Sequence, residues 1–184
     1  MSTYQVIDPQ AISALVAPTL SRSNMDARFL SAFLQAVVEV LSSEIGGQIQ
    51  RGAVTLERSS YAANDVSVML TVVGKLRGVV IYGMPESTAL GIVSHIMGQR
   101  LGEIDDLVQS GIAELGNVIT GRASTLLAGM GYPTHLSVPT LVLGKAMISV
   151  LDFHRVVVPM TCEYGPLAVH LALRETSDGL CPAG

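Results

Sequence analysis

Ser110, Glu114 and Asn117 lie in the stretch SGIAELGNVITGRAS, residues 110–124, whose polar side chains recur at helical spacing. On a helical wheel with about 100° per residue and Ile112 at zero, Ser110, Glu114, Asn117 and Gly121 fall between roughly 140° and 200°. Ile104, Val108, Leu115, Ile119, Ala123 and Leu126 fall between roughly −80° and +20°, an apolar stripe on the opposite side. A hydroxyl, a carboxylate and a carboxamide therefore form one ridge that can donate and accept hydrogen bonds toward a partner. Gly111, Gly116 and Gly121 interrupt the same helix, each at about 1 kcal/mol relative to alanine. Gly121, next to Asn117 on the outer side, leaves room for a partner's backbone near the carboxamide. Periodicity alone leaves two readings open: a solvated face with glycines admitted for inner packing, or a docking ridge.

The remaining polar residues form no comparable pattern. The histidines at 95, 135, 154 and 170 lack the mutual spacing of metal ligands. No phosphate-cradling glycine loop, nucleophile elbow or zinc-binding HExxH is present. No metal or cofactor site is expected in this chain. Cys162 and Cys181 are the two cysteines, too few for a disulfide framework and suited to a reducing cytoplasm. The net charge is −4 without any Lys/Arg run, which argues against a nucleic-acid or anionic-membrane surface. The N-terminal MSTYQVIDPQ lacks the basic and apolar regions of a signal peptide. The longest charge-free stretch, residues 123–144, holds Gly129, Gly131, Pro133 and Pro139, which argues against a membrane span. Charged residues make up only 14 % of the chain, so part of the apolar surface is expected to be covered, and a homodimer follows as an expectation.

The elements that must carry the ridge follow from the apolar periods. Residues 1–24 form a polar lead-in with a short apolar patch at 12–16, where one or two helical turns are expected. Phe29, Phe33, Ala36, Val37, Val40, Leu41 and Ile45 recur every three or four residues, which predicts a helix over 25–49 stopped by Gly46-Gly47. Strands are predicted at 49–57, 66–73 and 76–84, then a short helix over 85–97. A long helix over 104–130 carries the ridge, with Asp105 and Asp106 in its first turn. Strands at 136–143, 156–163 and 167–174 follow, and residues 176–184 form a small, polar tail. Each half thus consists of helix and three strands. The predicted fold is α+β: a pseudo-duplicated unit around one six-stranded, mainly antiparallel sheet with long helices packed on it, spanning 25–175 as one domain.

Ser110-x3-Glu114-x2-Asn117 within ELGNVITGRA resembles the signature of the CheC/CheX/FliY family of bacterial chemotaxis phosphatases. In that pattern Asp or Ser is followed by Glu and then Asn, commonly within E-x-G-N-x-x-x-G, and a proline comes some two dozen residues on. Pro139 or Pro133 would fill the last place. The order of elements over residues 25–175 resembles the family as well. CheC-type members carry the motif in both halves. Here the corresponding first-half stretch is Ser31-x3-Gln35-x2-Val38, with an amide at the carboxylate position and a valine at the amide position. A single motif in the second half is the CheX-like arrangement.

The resemblance implies hydrolysis of the aspartyl phosphate of a phosphorylated CheY-type response regulator. It implies that Asn117 orients the attacking water and that Glu114 pairs with the receiver's active-site lysine. Ser110 and Gly121 would border the contact, and Mg²⁺ would sit in the receiver. Such proteins dimerise, which agrees with the expected homodimer. Two alternatives stand beside this: a module that binds receivers without catalysis, and a flagellar-switch component.

Overall fold

The computed structural model describes residues 5–6, 25–57, 60–149 and 154–176. Helix α1, Ala27–Ile45, begins at Asp26, whose carboxylate accepts from the Arg28 amide at 2.8 Å. It ends at Gly46, where φ of 67° suits glycine. The strands β2 (Gln50–Arg51), β3 (Thr55–Glu57) and β4 (Ser60–Ala62) come next. The hairpin β5 (Val66–Gly74) and β6 (Leu76–Met84) closes on a tight turn at Lys75. Helices α2 (Glu86–Met97) and α3 (Asp106–Gly129) follow, then β7 (Thr134–Leu136), β8 (Thr140–Leu143) and β9 (Met147–Ser149). Strands β10 (Arg155–Cys162) and β11 (Gly165–Glu175) complete the described chain, and Gln5–Val6 forms a short β1.

All strand pairs are antiparallel, in the lane order β2/β3, β10, β11, β6, β5, β7/β8. The strand predicted over 49–57 is divided: β2 and β3 both pair with β10, one on each side of residues 52–54. The strand predicted over 136–143 is likewise divided, and β7 and β8 both pair with β5. Pro139 between them has no N–H to give to a ladder. The expected six lanes are therefore present, built from more strands than the apolar runs suggest. At the β2 edge Gln5 and Val6 pair with Arg51 and Gln50, so part of the presumed lead-in belongs to the sheet. The helical turns expected around 12–16 and the tail after residue 176, with Cys181, lie outside the described residues.

The sheet buries alternate residues against the three helices. Val66, Val68, Leu70 and Val72 of β5, Val80 and Tyr82 of β6, Val169 and Leu171 of β11, and Val156 and Val158 of β10 face that way. They meet Phe29, Phe33, Val37 and Leu41 of α1, Ile92 and Val93 of α2, and Ile112, Ile119 and Ala123 of α3. The period of two in the strands meets the period of 3.6 in the helices, which makes this an α+β layer.

The opposite face carries an element with no counterpart among the expected ones. Strands β4 and β9 form a two-stranded ribbon. Tyr61 of β4 packs with Ile81 and Ala63 there, and its hydroxyl lies 2.8 Å from Ser67 Oγ. His170 stacks edge-on against Tyr61 with ring centroids 4.6 Å apart. Arg155 lies over the same tyrosine ring and pairs with Glu57.

Candidate functional site

The site is built on α3. Asp105, outside the first turn, accepts from the Val108 amide at 2.9 Å and fixes the helix start, while Asp106 supplies negative charge at that end. Two of its three interior glycines are explained by packing. A Cβ at Gly116 would stand 2.7 Å from Val68 Cγ1, and one at Gly111 would stand 3.0 Å from Val93 Cγ1. The helix therefore lies close on β5 and on α2. Thr120 then fixes its rotation. Its hydroxyl donates to the Gly116 carbonyl at 2.7 Å and meets the Tyr82 hydroxyl at 2.9 Å, in a fully buried pair. Burial without a charged neighbour raises the Tyr82 phenol far above its ordinary range, so it stays neutral.

With the inner side held in this way, the polar ridge points out. Ser110 and Glu114 are exposed, and Asn117 and Gly121 are half-buried. Asn117 Nδ2 lies 3.5 Å from Glu114 Oε2, a contact at the outer limit of a hydrogen bond. Both groups thus sit one turn apart, held loosely to each other. A Cβ at Gly121 would meet nothing within 4 Å, so this glycine has no packing reason of the kind seen at 111 and 116. The four predicted residues are together on one face. Pro139 lies between β7 and β8 and Pro133 precedes β7, both outside the ridge.

The first-half counterpart is arranged differently. Ser31, Gln35 and Val38 are half-buried on α1. Gln35 Nε2 donates to Glu39 Oε1 at 2.8 Å, and Arg122 of α3 donates to Glu39 Oε2 at 2.6 Å. The Arg122 and Gln35 donors hold the Glu39 carboxyl below the usual carboxylate range. These polar groups tie α1 to α3.

One feature beside the ridge escaped the sequence reading. A groove of about 310 Å³ runs along α3, walled by Leu107, Leu115 and Val118 and by Ile96 and Met97 at the end of α2. Ser110 and Glu114 belong to its lining, as does Glu44 of α1. Leu107, Val118, Ile96 and Met97 are 41, 43, 38 and 41 % exposed, unusual for large apolar side chains so close together. The signal was present on the wheel, where Leu107 and Val118 fall at roughly 220° and 240°, outside the apolar stripe and beside the ridge.

Among the described residues, no group of three or more His, Cys, Asp or Glu side chains is placed to hold a metal ion. None of the described helices is long and apolar enough to cross a membrane. Cys162 is buried in β10, and its burial raises the thiol's pKa.

The family model described as chemotaxis phosphatase CheX matches residues 66–161, just over half of the chain and inclusive of all of α2 and α3. A protein of Thermotoga maritima named CheY-P phosphatase CheX is 29 % identical over 122 residues, covering 66 % of this chain and 79 % of that protein. The crystal structure of a CheC-like superfamily protein from Shewanella sp. PV-4 superposes with a TM-score of 0.75 at 27 % identity, over 82 % of this chain and 99 % of that one. In fold, the chain is also similar to a component of the CheX–CheY–BeF3–Mg²⁺ complex from Borrelia burgdorferi. The TM-score there is 0.68 at 24 % identity, over 80 % of this chain and 98 % of that one.

Proposed function

This chain belongs to the chemotaxis phosphatase CheX family, and from that membership we propose that it hydrolyses the aspartyl phosphate of a CheY-type response regulator. The observation that carries the proposal is the pair Glu114 and Asn117, adjacent on the outward face of α3 and opposite its buried stripe. The Thermotoga relative is named for the same substrate, and the Borrelia relative was crystallised with CheY.

Hydrolysis of a mixed anhydride needs a water placed in line with the phosphorus–oxygen bond. Phosphoryl transfer depends mainly on positioning and charge neutralisation. The Asn117 carboxamide accepts from such a water and donates to a phosphoryl oxygen, without titrating near pH 7. Glu114 supplies an anionic contact for the receiver's active-site lysine and sets the register of the docked helix. The Mg²⁺ belongs to the receiver, together with the electrophile. Ser110 and Gly121 border the contact, and open space at Gly121 lets the partner's backbone come near the carboxamide.

The chain acts as a homodimer in this proposal. Val73, Val138 and Leu143 stand exposed on and beside the β7/β8 lane, which ends the sheet. Sedimentation at tens of micromolar is expected to give the dimer mass, and a monomer there would remove this part. The catalytic reading is tested by phosphate release from a phosphorylated CheY-type receiver, with and without the protein. Acceleration is expected. Binding without acceleration would leave a receiver-binding module instead.

A further inference from the structure

We infer that the apolar groove between α2 and α3 receives a large apolar side chain from the surface of the docked receiver. The inference rests on the receiver-phosphatase reading above and adds a contact to it. Three observations carry it. The first is position. Leu107 precedes Glu114 by two turns, about 10 Å along the helix, and Val118 follows Asn117 directly. A standard interface buries about 800 Å² per partner, a disc of about 16 Å radius. An interface of that size centred on Glu114, which itself lines the groove, reaches both Leu107 and Val118.

The second observation is shared lining. Ser110 and Glu114 belong to the ridge and to the groove, so a partner seated on one is in contact with the other. The third is charge. Glu114 and Glu44 are the charged side chains in the lining, and both are acidic. An acidic or phosphate-bearing occupant is disfavoured there. An apolar side chain flanked by a lysine fits, and a lysine is what the ridge already requires of the partner. The groove's volume of about 310 Å³ has room for such a side chain. Half-exposed apolar walls near the centre of a contact are also where binding energy concentrates once water is excluded.

The experiment measures affinity for a CheY-type receiver loaded with beryllofluoride and Mg²⁺, by titration calorimetry. The proteins compared are the wild type, the double variant Leu107→Ser with Met97→Ser, the single variant Val118→Ser, and Met147→Ser. Met147 is 71 % exposed on the separate β4–β9 ribbon and serves as the surface control. Melting temperatures are recorded for all four. The expected result is affinity at least about tenfold weaker for the double variant and several-fold weaker for Val118→Ser, with Met147→Ser within about twofold of wild type. Val118→Ser decides the matter alone if the double variant does not fold. Groove variants that bind as the wild type does would overturn the inference while leaving the phosphatase reading intact. Loss of self-association in the double variant, with receiver affinity kept, would overturn it too, since the groove would then be a contact between copies. A wild type that neither binds the receiver nor releases its phosphate would remove the reading underneath, and the inference with it.

Discussion

Helices α1 and α3 occupy matching places in the two halves of the chain, yet their outward faces differ. On α1 the motif-equivalent residues Ser31, Gln35 and Val38 are half-buried, and Gln35 is held by Glu39, which is held in turn by Arg122. On α3, Ser110 and Glu114 are exposed, and Glu114 touches Asn117 only at 3.5 Å. One helix has spent its polar side chains on joining the fold. The other keeps them available, at the cost of three interior glycines. Two of those glycines serve close packing, and the third, Gly121, does not. Equivalent backbone positions thus do not carry equivalent roles. What separates them is whether the side chains already have partners within the chain.

The sharpest way to break this contrast is to remove the two amides in turn. Asn117→Ala is expected to cost about 10²- to 10³-fold in receiver dephosphorylation, the usual loss for one preorganised polar group. Its melting temperature is expected to hold, because alanine is the better helix former and the site faces away from the core. Gln35→Ala is expected to leave the rate within about twofold, since a surface contact of this kind contributes little. Glu114→Ala is expected to weaken receiver binding as well as turnover, because it removes a charge-assisted contact. Full activity in Asn117→Ala, or equal losses from Asn117→Ala and Gln35→Ala, would end the distinction between the helices.

The two kinds of glycine offer a second test. Gly116→Ala places a methyl 2.7 Å from Val68 Cγ1 in the core. Overpacking there costs about 1–3 kcal/mol against about 1 kcal/mol of helix propensity gained. A melting temperature lower by several degrees is expected, together with reduced activity as α3 shifts. Gly121→Ala meets open space and gains the propensity term alone, so its melting temperature is expected to rise by about 2–4 °C. Its receiver affinity is expected to fall, because the methyl occupies space meant for the partner. Calorimetric melting beside receiver titration separates the four outcomes. A Gly121→Ala protein that is more stable and equally active would mean that the outer glycine serves no partner.

These contrasts show why parts of the molecule were legible in the sequence. The long helices and the β5–β6 hairpin follow from apolar periods that dominate their windows, with stops at Gly46 and near Met130. The ridge on α3 was legible because its polar residues fall together on the wheel. The division of the outer lanes was not, since residues 52–54 and 137–139 interrupt the ladder without interrupting the apolar run. The β4–β9 ribbon was missed because three-residue strands are too short for a period to register, and their partners are distant in sequence. The apolar groove was missed for another reason. Leu107 and Val118 read as ordinary exceptions on a wheel, and only the approach of Ile96 and Met97 from α2 turns them into a wall.

His170 sharpens the comparison on the other side of the sheet, where a polar side chain is buried without a partner. Neither ring nitrogen has a hydrogen-bond partner among the described residues, and Tyr61 covers the ring. Burial, with Arg155 nearby, lowers its pKa from 6.5 to about 3. The unfolded chain therefore binds a proton that the folded chain refuses between those values. Stability is full above about pH 6.5 and falls as the pH drops toward 3. The slope is at most about 1.4 kcal/mol per pH unit, or about 2–4 °C in melting temperature for a chain of this size. His170→Leu is expected to flatten the profile between pH 6.5 and 5. An unchanged slope in that variant would place the pH dependence elsewhere.

The smallest effect is expected at the link between the two helices. The Arg122–Glu39 pair is well exposed, with 43 and 38 % of the two side chains accessible. Solvent and salt screen such pairs, and side-chain ordering offsets part of the attraction. Glu39 has a depressed pKa, so its contribution is present above the ordinary carboxylate range and is lost as the pH falls through the folded value. That window falls within the lower part of the span governed by His170, which runs from pH 6.5 down toward 3, so the two are separated by titrating His170→Leu beside the wild type. Glu39→Gln keeps the shape of the side chain and removes its charge. It is expected to shift the melting temperature at pH 7 by no more than about 2 °C, and by less in high salt. Dephosphorylation is expected to remain at the wild-type rate, because Arg122 and Glu39 hold the helices together away from the ridge. A large loss of rate with an unchanged melting temperature would mean that the α1 side chains act on the receiver after all, and that the first half has kept a share of the site.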